Sequence, residues 1–200
     1  MTNNGNLILR VSTMADVDEL RELHLKTHRD EEDALRKDEI IHLMDIFPYG
    51  NLVAVFNNRI CGHSVSVLTK ENELLKEFSW YDRFYGHDPN GDCVYGLELA
   101  VMRPSKENIK LGHILVNYSM DRLRTDKIKK IYIGASIRRF EKFVLKTKNH
   151  DIGEYLRTGG NGRVDPVVGF YKSLGFKEIR PLKNYYPDSR SFDWALLMVS

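Results

Sequence analysis

A single carboxylate, Glu98, lies within a run of alternating residues at positions 94–102. This alternation predicts a β-strand, because successive side chains of a strand point to opposite faces. On the face that carries Glu98, its neighbours are the small residues Gly96 and Ala100. A packed core would normally fill that space, so the spacing predicts room for a ligand along the strand, with an ionisable group beside it. The alternative is a strand carboxylate that only pairs with a neighbouring cation.

A short polar loop and an amphipathic helix follow this strand after Pro104. The apolar side of the predicted helix consists of Leu111, Ile114, Leu115 and Tyr118. Because the first amides of a helix have no partner within it, a strand, loop and helix in this order bind anions well. Gly112, in the first helical turn, would let a ligand approach the backbone. These features predict a site for a phosphate-bearing cofactor.

The composition is that of an ordinary soluble globular protein, with 200 residues, 42% hydrophobic and 29% charged. We therefore expect a single domain over residues 1–200. The formal net charge of +2 is too small to predict nucleic-acid or membrane binding by bulk electrostatics, although residues 122–148 are rich in Lys and Arg. Cys61 and Cys93 lie in apolar runs and are expected to be reduced core residues, without a disulfide or a metal site. With no export signal and no membrane span in sight, we expect a cytoplasmic protein.

Hydrophobic periodicity places the other elements along the chain. Further strands are expected at residues 7–11, 51–56, 60–68, 128–135, 176–182 and 194–199. Further helices are expected after the capping residue Ser12 or Thr13, at residues 33–45 and at residues 165–174. Asn57, Asn58 and Arg59 form a turn between two strands, which predicts an antiparallel hairpin.

Two segments have no clear period. Residues 69–92 are irregular and aromatic, which suits either the wall of an acceptor pocket or a surface excursion packed on its own hydrophobic side chains. Residues 136–163 predict a long loop, and such loops are often lids over a binding site.

In this order, the elements resemble those of the GNAT acetyltransferase superfamily over nearly the full length of the chain. The segment VDPVVGFYKSLGF, residues 164–176, is similar to the one that carries the family's FYxxxGF pattern. Three segments resemble those of one subgroup, the GNAT domains found ahead of carbon–nitrogen hydrolase domains. These segments are GHDPNGDCVYGLEL, DPVVGFYKSLGF and KNYYPDSRS. The resemblance implies an α/β (α+β) fold, a single GNAT-like domain whose central mixed, mostly antiparallel sheet of about seven strands is flanked by about four helices.

The resemblance also implies acetyl-CoA as co-substrate, with its pantetheine arm beside the strand of Glu98 and its pyrophosphate on the following loop. The family loop reads Arg or Gln, two variable residues, Gly, one variable residue and Gly, whereas this chain has Lys110 at the first Gly and keeps Gly112 at the second. Either Glu107 or Lys106 takes the Arg/Gln position, and we favour Lys106 because a carboxylate would repel the pyrophosphate. The implied CoA-binding residues are Leu99, Val101, Met102, Lys106, Asn108, Ile109, Lys110, Leu111, Gly112, His113 and Phe170.

The implied activity is N-acetyltransfer from acetyl-CoA to a primary amine of a small molecule. Glu98, directly or through a water, would be the general base, and backbone amides near Val101 or Met102 would hold the thioester oxygen. Tyr171 takes the family position of the general acid to the CoA thiolate, unless it is only a packed aromatic residue. Weaker candidates for the base are His63, His87 and His113.

Other readings stay open at this point. The altered loop would also suit a non-catalytic GNAT-like module that binds CoA or a protein. A nucleic-acid contact through residues 122–148 is weaker still, and we expect neither nucleic acid nor membrane as a partner. A homodimer and, by analogy with the hydrolase-fused domains, a separate amidohydrolase partner are both conceivable.

Overall fold

The computed structural model of the protein describes residues 6–102, 110–162 and 164–200. Its strands, in chain order, are β1 (Leu7–Val11), β2 (Asn51–Phe56), β3 (Arg59–Thr69), β4 (Cys93–Val101), β5 (Ile131–Ser136), β6 (Lys177–Leu182) and β7 (Ala195–Val199). They form one open sheet in the order β1-β2-β3-β4-β5-β7-β6. β1 pairs antiparallel with β2, β2 with β3, and β7 with both β5 and β6. The predicted mixed, mostly antiparallel sheet is therefore confirmed.

The α-helices in the described residues are α1 (Val17–Thr27), α2 (Lys37–Ile46), α3 (Glu71–Leu74), α4 (Trp80–Phe84), α5 (Leu111–Leu123), α6 (Phe140–Thr147), α7 (Ile152–Gly162) and α8 (Pro166–Ser173). The predicted helices correspond to α1, α2, α5 and α8, so the expected number of about four was too low. No helix within the described ranges is long and apolar enough to cross a membrane.

The hairpin of β2 and β3 confirms what its turn residues predict. Asn57 and Asn58 have positive φ angles of 51° and 61°, in the left-handed region that asparagine tolerates. This turn sets the register in which Val53 lies opposite His63. The hairpin thereby places His63 in the sheet.

The prediction of a long loop at residues 136–163 is wrong, because this stretch contains α6 and α7. Phe140, Phe143 and Val144 of α6 are buried at the spacing of one helix face, which is a helical period that the sequence already carries. Lys148 then ends α6 in the left-handed conformation, with φ 58°. The described part of residues 136–163 is therefore largely helical and is not an unstructured lid.

The described chain divides into two compact units, and each is considered by itself. The first unit comprises Met1–Leu68 and Gly96–Lys129, and the second comprises Thr69–Tyr95 and Lys130–Ser200. Strand β4 contributes residues to both units. The expected single domain stays a prediction.

The core of the first unit lies between α5 and the sheet. Leu52, Ala54, Cys61, Leu111 and Leu115 form a buried cluster, and Leu99 and Val101 of β4 pack against it. Because side chains alternate along a strand, Glu98 points to the face of β4 that does not pack under α5. Helix α5 thus fixes which face carries the carboxylate. Cys61 and Cys93 are both buried and free, as predicted.

Candidate active site

Glu98 lies in a cluster of histidines from the end of α1 and from β3. Its carboxylate oxygen Oε1 is 3.5 Å from Nε2 of His28, and the two side chains are 20% and 12% exposed. The rings of His24 and His28 stack with centroids 5.4 Å apart. His24 Nε2 lies 2.9 Å from His63 Nδ1 in a buried contact. We call His24, His28, His63 and Glu98 the histidine–carboxylate cluster.

Local structure explains why two of these rings face the same way. His24 is in the last turn of α1 and His28 is its C-cap residue, four positions later, so both lie on one side of the helix end. The backbone N–H and the ring Nδ1 of His28 lie 3.0 Å and 2.9 Å from the carbonyl oxygen of His24. These contacts hold the His28 ring against the helix terminus and leave Nε2 facing Glu98.

Burial keeps two of the histidines neutral. It lowers the pKa of His24 to about 4 and the pKa of His63 to about 3, against an ordinary value of 6.5. For Glu98, burial pushes the pKa up, but His28, His24 and the amide of Leu99 outweigh it and the pKa lies below its ordinary value. Glu98 is therefore a carboxylate at neutral pH, in contact with a histidine, as a proton acceptor needs to be.

The N-terminus of α5 presents the amides predicted to bind phosphate. The first bond within the helix runs from the amide of Ile114 to the carbonyl of Lys110, at 3.0 Å, so the amides of Leu111, Gly112 and His113 precede the helical ladder. Lys110 is exposed and Gly112 is half-buried. The predicted residues Lys106, Asn108 and Ile109, and with them the alternative Glu107, lie outside the described residues.

One prediction about the thioester oxygen needs correction. The amide of Met102 donates to the carbonyl oxygen of Cys61 at 2.9 Å and is therefore already engaged. Of the two amides predicted to hold that oxygen, this leaves the amide of Val101.

Tyr171 belongs to the second unit, where the chain around it is closely fixed. Asp165 caps α8 by accepting from the amide of Val167 at 3.0 Å, and Pro166 is the first helical residue, as predicted. At the other end, the amides of Phe176 and Gly175 donate to the carbonyls of Tyr171 and Lys172, while Gly175 has φ 89°. This is a Schellman C-cap, which requires the glycine.

The FYxxxGF pattern acquires a physical meaning in this helix end. The rings of Tyr171 and Phe176 lie 5.3 Å apart, and those of Tyr171 and Phe170 lie 5.0 Å apart. A hydrophobic contact like the one between Tyr171 and Phe176 commonly accompanies a Schellman cap. The motif therefore orients the ring of Tyr171, whose side chain is half-buried.

A hydrogen-bonded pair of tyrosines lies in the same unit as Tyr171. The buried hydroxyl of Tyr95 donates to the hydroxyl of Tyr185 at 2.8 Å. Burial raises the pKa of Tyr95 well above its ordinary value, and Tyr185 and Tyr171 add to this effect. A Cβ atom at Gly134 would lie 2.6 Å from both hydroxyl oxygens. We call Tyr95, Tyr185 and Gly134 the tyrosine cluster.

The aromatic segment at residues 69–92 packs beside this cluster. Phe78, Trp80 and Phe84 are buried, whereas Tyr81 and Tyr85 are exposed. The ring of Phe78 contacts Tyr95 edge-on, with centroids 5.6 Å apart. Part of the segment is thus core, as the surface-excursion reading expects, and its exposed rings are compatible with a pocket wall.

His24 and His28 were not predicted as site residues from the sequence. Among the weaker candidates for the base, His63 belongs to the cluster, but its low pKa makes it a poor proton acceptor. Burial also lowers the pKa of His87, and His113 lies at the start of α5. The signal for the missed pair was present as two histidines four residues apart at the end of a helix.

The chain was then compared with known proteins. The protein described as probable hydrolase YhcX of Bacillus subtilis is 29% identical over 199 residues, which cover 96% of this chain and 38% of YhcX. The uncharacterized N-acetyltransferase YkwB of the same organism is 26% identical over 171 residues, covering 81% of this chain and 73% of YkwB. The chain thus spans well under half of the first relative's length. No protein-family profile matches the chain.

Among solved structures, the GNAT-like decarboxylase GphF in complex with isobutyryl-CoA has a TM-score of 0.85 at 20% identity, covering 96% of this chain and 97% of GphF. The loading GNATL domain of CurA from Lyngbya majuscula has a TM-score of 0.82 at 19% identity, covering 97% and 96% of the two chains. Arabidopsis thaliana Naa50, in complex with the bisubstrate analogue CoA-Ac-MVNAL, has a TM-score of 0.58 at 15% identity and 97% coverage of both chains. The chain therefore has a GNAT-like fold.

Proposed function

We propose that the protein is an acyl-CoA-dependent N-acetyltransferase that moves the acetyl group of acetyl-CoA directly to a primary amine of a small molecule. The observation that carries the proposal is the ionised carboxylate of Glu98, only 20% exposed and paired with His28 on the central strand. A sheltered carboxylate of this kind can take the proton from an ammonium group. Substrate binding would shelter it further.

The N-terminus of α5 supports a CoA-type ligand. The amides of Leu111, Gly112 and His113 come before the first helical bond, and the exposed Lys110 adds a positive charge beside them. Such a terminus favours a pyrophosphate through amide donors and the helix dipole. GphF and Naa50 were solved with CoA derivatives, which agrees with acyl-CoA as the ligand class. Acetyl-CoA itself, and a contact with Phe170, are part of the proposal.

The proposed reaction needs one base and one acid. Glu98, directly or through a water, removes a proton from the ammonium group, and the free amine attacks the thioester carbonyl. The amide of Val101 stabilises the oxyanion that forms. Tyr171 donates its proton to the departing thiolate as the carbon–sulfur bond breaks, which yields an amide and CoA thiol.

Thermal unfolding with and without acetyl-CoA is the first test. A ligand at about 100 times its dissociation constant adds roughly 2.7 kcal/mol to stability. Amines are then screened by the release of CoA thiol. A thermal shift with amine-dependent thiol release supports the proposal, whereas a shift without turnover for any amine favours the non-catalytic module.

Tyr171→Phe tests the proposed acid. Loss of the hydroxyl should lower kcat by about 10²-fold, because the thiolate must then leave unprotonated. The KM for acetyl-CoA should hardly change. Tyr49→Phe is the matched control, since Tyr49 is 63% exposed and lies in the other unit. Equal activity of the two variants would leave Tyr171 as a packed aromatic residue only.

A second candidate function is decarboxylation of a carboxyacyl-CoA. The observation that favours it is the TM-score of 0.85 with the GNAT-like decarboxylase GphF, against 0.58 with Naa50. In that reaction the substrate loses carbon dioxide and takes up a proton at carbon, and no amine is consumed. Measuring carbon dioxide from malonyl-CoA beside thiol release from acetyl-CoA separates the two candidates.

The remaining expectations are proposals as well. YhcX is described as a probable hydrolase and this chain covers 38% of it, which is compatible with a separate amidohydrolase partner. Co-purification from the source cells would test that partner. Fractionation of the same cells would test the cytoplasmic location. Sedimentation of the pure protein would test a homodimer.

A further inference from the structure

The tautomer of His28 follows from its surroundings. Its Nδ1 lies 2.9 Å from the carbonyl oxygen of His24 and 3.4 Å from the hydroxyl of Thr27. That hydroxyl gives its own proton to the carbonyl of Leu23 at 2.9 Å, so both neighbours of Nδ1 are acceptors. Because a carbonyl oxygen can only accept, Nδ1 must carry a proton.

This assignment decides what Nε2 can be. In a neutral imidazole with a proton on Nδ1, Nε2 is an acceptor, and it would face the carboxylate of Glu98 across 3.5 Å. Two acceptors at this distance repel each other in a sheltered site, whereas one proton between them makes the contact favourable. Resting on the proposed function, we propose that His28 and Glu98 accept the acceptor ammonium's proton as a unit and hold it between Nε2 and the carboxylate, with His28 as the positioning residue of Glu98.

The other charged groups near this pair already have partners. Arg21 donates to the carbonyls of Ala34 and Leu35 and pairs with Glu31. Asp16 is held by two bonds from Arg10, at 2.7 Å and 2.8 Å. His24 and His63 are neutral and bond to each other. Neither Arg21 nor Asp16 is therefore set to replace His28 beside Glu98.

The pair also sets the pH range of the base. Only the form without the shared proton can accept a proton from the ammonium, and after acceptance the proton lies between Glu98 and His28 until it leaves to solvent. The acid limb of kcat/KM should therefore report the pair rather than a lone carboxylate. A lone glutamate has a pKa of about 4.3, which lies well below the pKa of a pair that contains an imidazole.

His28→Gln is the informative variant, because a glutamine amide can still donate to Glu98 but cannot take up a proton. We expect the acid limb of kcat/KM to move to lower pH by about one unit or more, since Glu98 then titrates alone. The plateau of kcat should fall about tenfold, because a weaker base accepts the proton less readily. The acceptor amine titrates equally in both proteins, so the difference belongs to the pair. His150→Gln, at an exposed histidine, is the matched control.

Ring-nitrogen NMR over a series of pH values tests the shared proton without turnover. The signals of His28 are identified by their loss in His28→Gln. In the native protein Nδ1 should be protonated throughout, and Nε2 should gain its proton at a higher pH than in Glu98→Gln. Spectra in which Nε2 gains its proton at the same pH in the native protein and in Glu98→Gln would overturn the pair. Because Glu98→Gln keeps all histidines, this readout does not depend on the folding of His28→Gln.

Failure of the pair can be told apart from failure of the proposed function. If no amine releases CoA thiol but NMR shows the shared proton, acetyl transfer is wrong and the pair has no such role. If turnover occurs and the acid limb is the same in His28→Gln and the native protein, Glu98 acts without His28.

Discussion

Buried polar groups are paired differently in the histidine–carboxylate cluster and in the tyrosine cluster. In the histidine–carboxylate cluster, the buried ring nitrogens Nδ1 of His24 and Nε2 of His63 have no hydrogen-bond partner among the described residues. In the tyrosine cluster, the buried hydroxyl of Tyr95 donates to Tyr185 at 2.8 Å. An unsatisfied buried polar atom lowers the free energy of unfolding by about 1–3 kcal/mol, so the first cluster reduces the stability of the fold. Such a cost is expected where proton transfer, rather than stability, determines the residues.

The pKa shifts show the same contrast. Burial lowers the pKa of His24 and His63 and raises that of Tyr95, so all three side chains are neutral at neutral pH. Glu98 differs, because His28 and His24 keep its pKa low in spite of burial. Environments that push titratable groups apart commonly mark a base and an acid. In the proposed reaction, proton acceptance belongs to a residue of the first unit and proton donation to a residue of the second.

The largest effect should come from removing the carboxylate. Glu98→Gln should lower kcat by about 10²–10⁴-fold, because the amide is nearly isosteric but cannot accept the proton. Steady-state thiol release at saturating acetyl-CoA measures this. Binding of acetyl-CoA, followed by thermal shift, should be unchanged.

Glu71→Gln is the matched control for that variant. Glu71 pairs with Lys130 at 2.6 Å in the second unit, and its side chain is 35% exposed. We expect its kcat to equal that of the native protein. A similar loss in both variants would show that the effect is not specific to the histidine–carboxylate cluster.

Acidification should weaken the fold through the buried histidines. Their pKa values are about 4 and about 3 in the folded protein and 6.5 in the ordinary state, so between pH 6.5 and about 4 only the unfolded chain takes up their protons. The contribution of the two neutral histidines to the free energy of unfolding is fully present above pH 6.5. Below that pH, the free energy of unfolding should fall by up to about 1.4 kcal/mol per pH unit for each histidine. Urea unfolding at several pH values measures the slope.

Two variants separate this effect from other titrations. His63→Gln should show a smaller pH slope, whatever its stability at neutral pH. His150→Gln should keep the native slope, because His150 is exposed. An unchanged slope in His63→Gln would mean that this histidine is not held neutral by burial.

The sequence predicts the fold better than the site. Strand alternation, the Asn57–Asn58 turn and the cap at Asp165 are local features, and all of them are found in the structure. Helices α6 and α7 have one-sided apolar faces, and they were missed because polar and glycine-rich residues between and after them favour a loop. Their buried residues acquire meaning only from the partners they pack against, such as Tyr155 beside Phe140.

For the site, Glu98 could be singled out from its small neighbours on one strand. His63 could not be assigned to the same cluster, because its place there depends on the order of the strands in the sheet and on its contact with His24 of α1. His24 and His28 were visible as a helical pair, yet nothing local shows which way a helix end faces. Proton sharing between His28 and Glu98 follows only from the carbonyl of His24 beside Nδ1.

Close packing in the tyrosine cluster should make Gly134 intolerant of substitution. A Cβ atom there would lie 2.5 Å from the Cζ atom of Tyr185, and both tyrosine rings are buried. Gly134→Ala should therefore lower the free energy of unfolding by about 1–3 kcal/mol. Gly153→Ala is the matched control, since its Cβ atom would meet only Asp151 Oδ1, at 3.2 Å, and should change stability by no more than about 1 kcal/mol. Equal losses of stability in the two variants would show that the tyrosine rings can move to accommodate the Cβ atom at little cost.

The smallest effect should come from the hydroxyl pair itself. Tyr95→Phe removes the donor to Tyr185 while keeping both rings, so we expect a loss of about 1 kcal/mol in urea unfolding. In the double variant Tyr95→Phe with Tyr185→Phe, no hydroxyl is left without its partner, and the total loss should be smaller than the sum of the single losses. Additive losses would mean that the two hydroxyls do not interact. If Tyr95→Phe instead lowers kcat more than tenfold with stability preserved, the hydroxyl pair takes part in proton donation beside Tyr171, and the contrast between the two units becomes one of acid and base alone.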